Sequence, residues 1–590
     1  MVFVTLVALV IRGWQLSQRT FYWDDLVIPA RFRVGSFFDF FSPYDGHIMP
    51  GSIAIQVVAD QLAPLEFFVP ATIVLLLCTL TYCLYGCALT RLLPAHPQVR
   101  LLAFSALVFS PFLMVAAGWW SAALNALGWQ VGFAAMLLCL SFVPAAPKGA
   151  SHTAPTASSS QKDCANQERP HSRELAWGIL AAFITFGALL MTEKAISIVP
   201  AAIVGAWLAR RLSWRFFCAP TLVTLAWALF IERCTNITST SEASTVMESI
   251  PKAVSHAVLP AILGGPWQWD RWIPSQAFAA PAPWLWIPSF MIVLLAIGLW
   301  VWRSPARFIS LIPIVGYFLV IMLVLTNTRT GAGTTDLLAR NLHYYVDWWA
   351  LAVIVVALAT ARFPAVRHSP LPRVAPIVVL ILALSSAVTT ISWVSAWRDD
   401  PTARYLATLK ESVAQDPSPL LSQPVPLEIL TPLLSPYNTV EGILGRPAAT
   451  WVTEPKVVDN NGAIVPAAVL HSAMTEQGDA PQCGTRIASG KRAILHIDNP
   501  LPFGEWTWEM NAVASNKGMT VTLTTPNGLE TEQQSRQRAS TVPVPTELAT
   551  HFVRVDGGGG FLQVEVTGGH VGDSVCIGAG GIGPLLANEN

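Results

Sequence analysis

The stretch FYWDDLVIPARF, Phe21–Phe32, follows an apolar run that starts at Met1 and sets two adjacent carboxylates, Asp24 and Asp25, among aromatic residues. Where those acids lie, in solvent, in a core or at a membrane surface, decides how the rest of the chain is read. The 590 residues are 53% hydrophobic and only 12% charged, with 23 Trp and a mean hydropathy of +0.49. Soluble domains carry roughly 25% charged residues, so the chain belongs in a membrane and the acid pair sits at its surface. The formal net charge is zero, which gives no sign of nucleic-acid or acidic-substrate binding.

Outward from that stretch, apolar runs of roughly 17–25 residues predict about eleven membrane helices. They are Met1–Leu16, Leu65–Leu93, Leu101–Gly118, Ala123–Val143, Leu175–Thr192, Ile196–Leu212, Phe216–Ile231, Trp284–Trp302, Phe308–Thr326, Tyr344–Thr360 and Val374–Val394. The first is short and has no basic flank before it. No small-residue cleavage site precedes the aromatic stretch, so it reads as a retained helix, one that could start upstream of Met1, and not as a signal peptide.

Lys and Arg in short loops set orientation. One alternate set of loops holds Arg91 and Arg100; Lys148, Lys162, Arg169 and Arg173; Arg210, Arg211 and Arg215; Arg303 and Arg307; and Arg362, Arg367 and Arg373. That set is expected in the cytoplasm. The other holds Asp24, Asp25, Asp45, Glu193, Glu232, Asp270, Asp336 and everything after Trp397. A multi-pass cell-membrane protein follows, with a cytoplasmic amino terminus and an extracytoplasmic tail.

The non-helical regions complete the plan. Residues 144–173 are Pro-, Ala- and Ser-rich and read as a flexible cytoplasmic loop. Residues 234–283 form a long external loop whose GGPWQWDRWIP segment has an interfacial composition. The predicted domains are a transmembrane domain over 1–398, an extracytoplasmic connecting region over 399–470 that opens with a short helix, and a β-sandwich-like domain over 471–590. In the last, RAILHID, WTWEMNAVA, MTVTLTT, HFVRVD and FLQVEVT alternate between turn residues as short strands do. Cys483 and Cys576 are the two cysteines of this tail and are expected to bridge in an oxidising compartment. The other seven cysteines show no metal-site spacing, and no internal repeat is visible.

On this topology the ionisable and aromatic residues gather at external helix ends. Asp24, Asp25, Asp45 and His47 follow the first helix, and Trp119, Trp120, Asn125 and Gln130 lie at the turn between the third and fourth. Glu193 and Lys194 form the turn between the fifth and sixth. Arg329, Asp336, Arg340, Asn341, His343, Tyr344, Tyr345 and Asp347 precede the tenth. Plainer readings exist for each: an Asp N-cap, a solvated Glu-Lys turn, an aromatic belt with snorkelling Arg, a structural His47, and Asn125 and Gln130 as helix-packing groups. Their shared placement at one face favours a site. A carboxylate there can take the proton of an attacking hydroxyl, and a cation held in low dielectric stabilises a departing phosphate.

With YWDDL placed directly after the first helix, the chain resembles the GT-C superfamily of membrane glycosyltransferases, and most of all the actinobacterial cell-wall arabinofuranosyl- and mannosyltransferases. The resemblance implies a polytopic helical fold with a β-rich external domain and a polyprenyl-phosphate-linked sugar donor. It also implies inverting transfer to an envelope glycan or glycoconjugate, with membrane lipid as a partner. Carried over, Asp24 or Asp25 is the catalytic base, and nothing in the sequence separates them. Glu193 is placed near the acceptor or an optional divalent cation. Lys194, Arg329, Arg340, His343 and Tyr344 are candidates for the donor phosphate, with His47, Asn341, Trp119 and Trp120 completing the substrate-binding set. No resident cofactor or metal ligand set is expected. The short first helix and the Glu-Lys in place of a second acid pair depart from the family pattern. A transporter or flippase of lipid-linked precursors is the main alternative, and a non-catalytic wall-assembly scaffold the third. Transporters favour midplane sites and repeated halves, which this sequence lacks.

Overall fold

The computed structural model describes residues 1–33, 35–146, 161–234, 249–328, 332–366, 374–398, 400–524 and 539–588, without the side chains of 161–171, 327–328 and 332–335. Arg329 and residues 147–160 of the expected 144–173 loop lie outside the described residues, and residues 161–173 of that loop are helical instead. The chain forms two compact units, Met1–Asp400 and Pro401–Asn590.

Among the described residues of the first unit, nine helices are long and apolar enough to cross a membrane: Phe68–Leu92, Pro97–Ala117, Trp120–Leu140, Ser172–Met191, Trp214–Cys234, Pro283–Arg303, Pro305–Thr326, Leu342–Arg362 and Ala375–Ala396. The other two runs expected as membrane helices are shorter. Val2–Ser17 has 16 residues, about 24 Å at 1.5 Å per residue, against a hydrocarbon core of about 30 Å. Ile198–Leu208 has 11, because Glu193–Ser197 winds as a 3₁₀ turn and takes the start of the run. The helix expected from Leu175 begins at Gln161 and takes in Pro170, an extension that the loop-like composition there does not signal. The loop after the first helix is also more helical than its composition signals, with Asp24–Phe32, a 3₁₀ turn over Phe37–Phe41 and a helix over Pro50–Leu62.

Three of the nine spans, Pro97–Ala117, Trp120–Leu140 and Leu342–Arg362, are 72% buried, whereas Pro283–Arg303 is 11% buried. The first group is therefore the centre of the bundle, and the Trp119 and His343–Tyr344 segments lie at the ends of central helices. Small residues let these helices approach closely. A Cβ on Gly128 would lie 2.5 Å from Met191 Cβ, and one on Gly51 would lie 3.0 Å from the Leu190 carbonyl oxygen. The second contact seats the Pro50–Leu62 helix against the end of the Gln161–Met191 helix.

In the second unit, after a helix over Thr402–Gln415, the described residues are mostly strands, in a nine-stranded and a three-stranded sheet. The segments RAILHID and WTWEMNAVA, read as two strands, belong to one of 23 residues, Arg492–Ala514. HFVRVD and FLQVEVT likewise merge into Ala549–Thr567. The two long strands pair antiparallel, with register shifts between Gly557 and Gly559 and between Gly559 and Phe561. Gly557 and Gly559 have φ of 137° and 124°, which a side chain would strain. The turn-like composition there marks irregularity within a ladder and not its end. Alternate residues such as Trp508, Met510, Ala512, Val553 and Val555 are buried in the core. Cys483 and Cys576 form a disulfide with Cα atoms 4.9 Å apart.

Candidate functional site at the ends of the central helices

The Asp24–Phe32 helix starts abruptly because Trp23 turns the chain at φ 41° and ψ −100°. The two acids that open it have different surroundings. Asp25 is buried, and its carboxylate accepts hydrogen bonds from the Tyr22 amide (2.9 Å), the Ser121 amide (2.8 Å) and the Ser121 hydroxyl (2.6 Å). Ser121 Oγ spends its one proton on Asp25, so the Gln56 side chain 2.8 Å from it is satisfied when its amide N–H faces the hydroxyl. Burial pushes the Asp25 carboxyl up to about 7, against the pull of these donors. Asp24 is half-buried and accepts from the Tyr44 hydroxyl at 2.7 Å.

Tyr44 belongs to the hairpin Tyr44-Asp45-Gly46-His47. Its ends exchange two backbone hydrogen bonds of 2.9 Å, and Asp45 and Gly46 have φ of 49° and 79°. Asp-Gly with positive φ at both central positions is the pattern of a two-residue type I′ hairpin turn. It holds Tyr44 toward Asp24 and brings His47 Nδ1 within 2.5 Å of Glu193 Oε1.

The contacts continue from there and close on themselves. Lys194, next to Glu193, places Nζ 5.4 Å from the centre of the Tyr344 ring. The Tyr344 and His343 rings are 3.9 Å apart, Trp119 meets His343 edge-on at 5.6 Å, and Tyr22 meets Trp119 edge-on at 5.2 Å. Tyr22 is two residues from Asp24. A circuit Asp24–Tyr44–His47–Glu193–Lys194–Tyr344–His343–Trp119–Tyr22 therefore joins four separate helix ends.

Polar groups behind the circuit fix it. Ser197 Oγ lies 2.8 Å from both the Lys194 carbonyl and the Tyr317 hydroxyl, and Tyr317 donates to Asp347 at 2.5 Å. This ties the Glu193–Ser197 turn to the helix that follows Tyr344. On the other side Arg19 is buried against Trp397, 3.7 Å from its ring centre, and donates to the Gly118 carbonyl. Burial pulls the Arg19 guanidinium down to about 10, so it is still a cation at neutral pH.

The remaining sequence candidates lie elsewhere. Trp120 is fully buried in the helical core and offers no face to a ligand. Asn341 is buried as well. Arg340 bonds Asp336 at 3.0 Å, and Asp336 also pairs with Lys252. The Arg340 guanidinium stacks 4.6 Å from the Phe278 ring centre, beside His256, whose pKa is lowered by burial first and then by Arg340. These form a second, mostly cationic cluster, with Arg340 three positions before His343. No trio of acidic, His or Cys side chains suited to a metal ion occurs among the described residues. Sequence reasoning missed Tyr22, Tyr44, Ser121, Gln56 and Arg19. The Asp-Gly pair was a usable hairpin signal for Tyr44; a serine inside an apolar helix carries none.

Fold and site together define a polytopic helical membrane protein with a polar and aromatic circuit at its helix ends and a strand-rich carboxyl-terminal unit. No family model and no curated protein matches the chain. Two solved structures do. One is the crystal structure of ArnT from Cupriavidus metallidurans bound to undecaprenyl phosphate, at 14% identity and a TM-score of 0.43, with 76% of this chain and 85% of that one covered. The other is the cryo-EM structure of the arabinofuranosyltransferase AftD from Mycobacteria, at 12% identity and a TM-score of 0.34; the match takes in 99% of this chain and 60% of that one.

Proposed function

We propose that the protein is a membrane glycosyltransferase that moves a sugar from a polyprenyl-phosphate donor to a hydroxyl of an envelope glycan or glycoconjugate at the external membrane face. The observation that carries this reading is the circuit itself. It holds a half-exposed carboxylate, Asp24, and an exposed cation, Lys194, on one continuous wall of aromatic rings at helix ends.

In the proposed reaction Asp24 takes the proton of the acceptor hydroxyl as its oxygen attacks the anomeric carbon. The bond from that carbon to the phosphate oxygen breaks, and the polyprenyl phosphate leaves as an anion stabilised by Lys194. A single displacement inverts the anomeric centre. The surroundings of the two acids support a division of roles: Asp25, buried and accepting from Tyr22 and Ser121, positions the loop, and Asp24, half-buried, is the base in this reading. His47 holds Glu193 at the acceptor side, and His343, Tyr344 and Trp119 form the apolar and cationic-π wall against the donor. The helix-end position of the ionisable groups favours this reading over a transporter.

The test is transfer from a radiolabelled polyprenyl-phosphate sugar in membranes carrying Asp24→Asn or Asp25→Asn. Loss of transfer in Asp24→Asn, with protein level and thermal stability kept, is the expected result. Full activity in Asp24→Asn would remove the assigned base.

A further inference from the structure

Within Leu311–Leu325 of the span Pro305–Thr326, Tyr317 is the one side chain that carries an oxygen or nitrogen. A hydroxyl in such a setting is costly without a partner, and this one has two. Its oxygen lies 2.5 Å from Asp347 Oδ2 and 2.8 Å from Ser197 Oγ. The partners belong to the two elements that carry the cation–ring contact of the candidate site. Ser197 closes the Glu193–Ser197 turn, which presents Lys194. Asp347 opens the Val346–Arg362 helix, three residues after Tyr344. Lys194 Nζ and the Tyr344 ring centre are 5.4 Å apart, and Tyr317, from a third element, bridges their supports from behind.

The protons available make this a clamp between elements and not an accessory of either. Tyr317 spends its one proton on Asp347, so its oxygen is left to accept from Ser197. Trp129 Nε1 donates to Ser197 Oγ at 2.9 Å, which fixes that hydroxyl with its own proton between Tyr317 and the Lys194 carbonyl, each at 2.8 Å. Without the Tyr317 hydroxyl the proton falls to the Lys194 carbonyl alone. The turn then keeps its internal bond and loses its tie to the helix.

The far end of the clamp depends on Tyr317 as well. Asp347 is buried, and its Oδ1 has no hydrogen-bond partner among the described residues. A buried acid with so few donors is a poor stabiliser of a fold, but it orients one hydroxyl well. Asp24 and Glu193 are held by other groups, Tyr44 and His47, so the acceptor side does not hang on this clamp.

We propose that Tyr317 is a positioning residue for the candidate site: through Ser197 and Asp347 it sets the separation of Lys194 from Tyr344, and thereby how firmly Lys194 holds the phosphate of the lipid donor. The proposal rests on the reading of Lys194 as the cation that meets that phosphate.

Lys194 is exposed and can be acetylated in the full-length protein in detergent, with the modified peptide read by mass spectrometry. Polyprenyl phosphate is expected to protect it in the parent, and the free polyprenol, which lacks the phosphate, is expected to leave it reactive. Tyr317→Phe and Ser197→Ala should raise the protecting concentration about tenfold or more, the size of a lost charge-assisted hydrogen bond, and raise the donor KM with the acceptor KM unchanged. Ser197→Thr and Asp347→Asn, which keep a hydroxyl and an acceptor at those positions, should be protected as the parent is. Ser197→Ala leaves the Tyr317–Asp347 bond in place and carries the test if Tyr317→Phe lowers the melting temperature. Protection of Tyr317→Phe and Ser197→Ala at the parent's concentration, or a Ser197→Thr variant as defective as Ser197→Ala, would overturn the proposal and leave the reading of Lys194 standing. A parent that polyprenyl phosphate does not protect would overturn that reading, and this proposal with it.

Discussion

The two units use the same amino acids against opposite surroundings. In Met1–Asp400 the outward positions are apolar: Phe68, Leu76, Phe183, Leu295 and Ile381 are exposed, while Arg12, Gln15, Arg19, Asp25 and Asp347 are buried. In Pro401–Asn590 the long strands bury Val and Met and turn Thr and Glu outward. In the first unit polar groups are held inside by specific partners, and their loss disturbs position and chemistry. In the second, shape comes from a packed apolar core and a cross-link, and the polar surface is expected to contribute little. Function and stability should separate along that line.

The largest effect is expected in the first unit. Asp24→Asn should lower transfer by about 10²–10⁴-fold, the range for loss of a general base, with no change in melting temperature. A comparable fall in stability would show that Asp24 is a structural cap, and the contrast between the units would fail. In the second unit Cys483→Ser should lower stability by about 2–4 kcal/mol, since the bridge closes a sequence separation of 93 residues. Melting under reducing and non-reducing conditions checks it, and the variant's single-turnover rate at low temperature should match the parent.

Asp25 sharpens the comparison through pH. Its carboxyl titrates near 7 in the folded protein and at an ordinary 3.8 otherwise, so the folded chain holds a proton that the unfolded chain gives up. The stability this contributes is complete below about pH 4 and declines as pH rises through 7, by at most about 1.4 kcal/mol per pH unit. Melting temperature should fall between pH 5 and pH 8, and Asp25→Asn should flatten that slope. The smallest effect belongs to the surface of the second unit. Arg492→Ala breaks an exposed pair with Glu565 and should leave melting within experimental error, because such pairs contribute about 0–1 kcal/mol; a large drop would mean that the sheet surface matters as the helical interior does.

What could be read beforehand divides on similar physical grounds. Long apolar runs signal membrane helices because hydrocarbon tolerates nothing else, and nine of them stand among the described residues. The shortness of the first run was visible in its length, but that of Ile198–Leu208 was not, because hydropathy measures composition and not where a 3₁₀ turn such as Glu193–Ser197 interrupts a run. Strand ends were misread at Pro500, Pro502 and Gly557–Gly560, where a turn composition lies inside a continuous ladder. For the candidate site, charged and aromatic residues at apolar ends were conspicuous, so His47, Glu193, Lys194, His343, Tyr344 and Trp119 could be named. Their connections could not. Tyr44 and Ser121 contribute through contacts 20 and 96 residues away in sequence, and burial of Trp120 and Asp25 depends on neighbours that no local pattern specifies.

The reversal at Asp45 and Gly46 has a practical side for anyone who modifies this chain. A two-residue turn has no slack, and both of its flanking side chains are engaged with different helices. An epitope tag or protease site placed there would part Asp24 from Glu193 while every helix remained in place, giving a correctly inserted protein with a dismantled site. The length of that one loop is thus a heritable constraint of a different kind from residue identity: substitutions can be graded, whereas an insertion or deletion here is all or none.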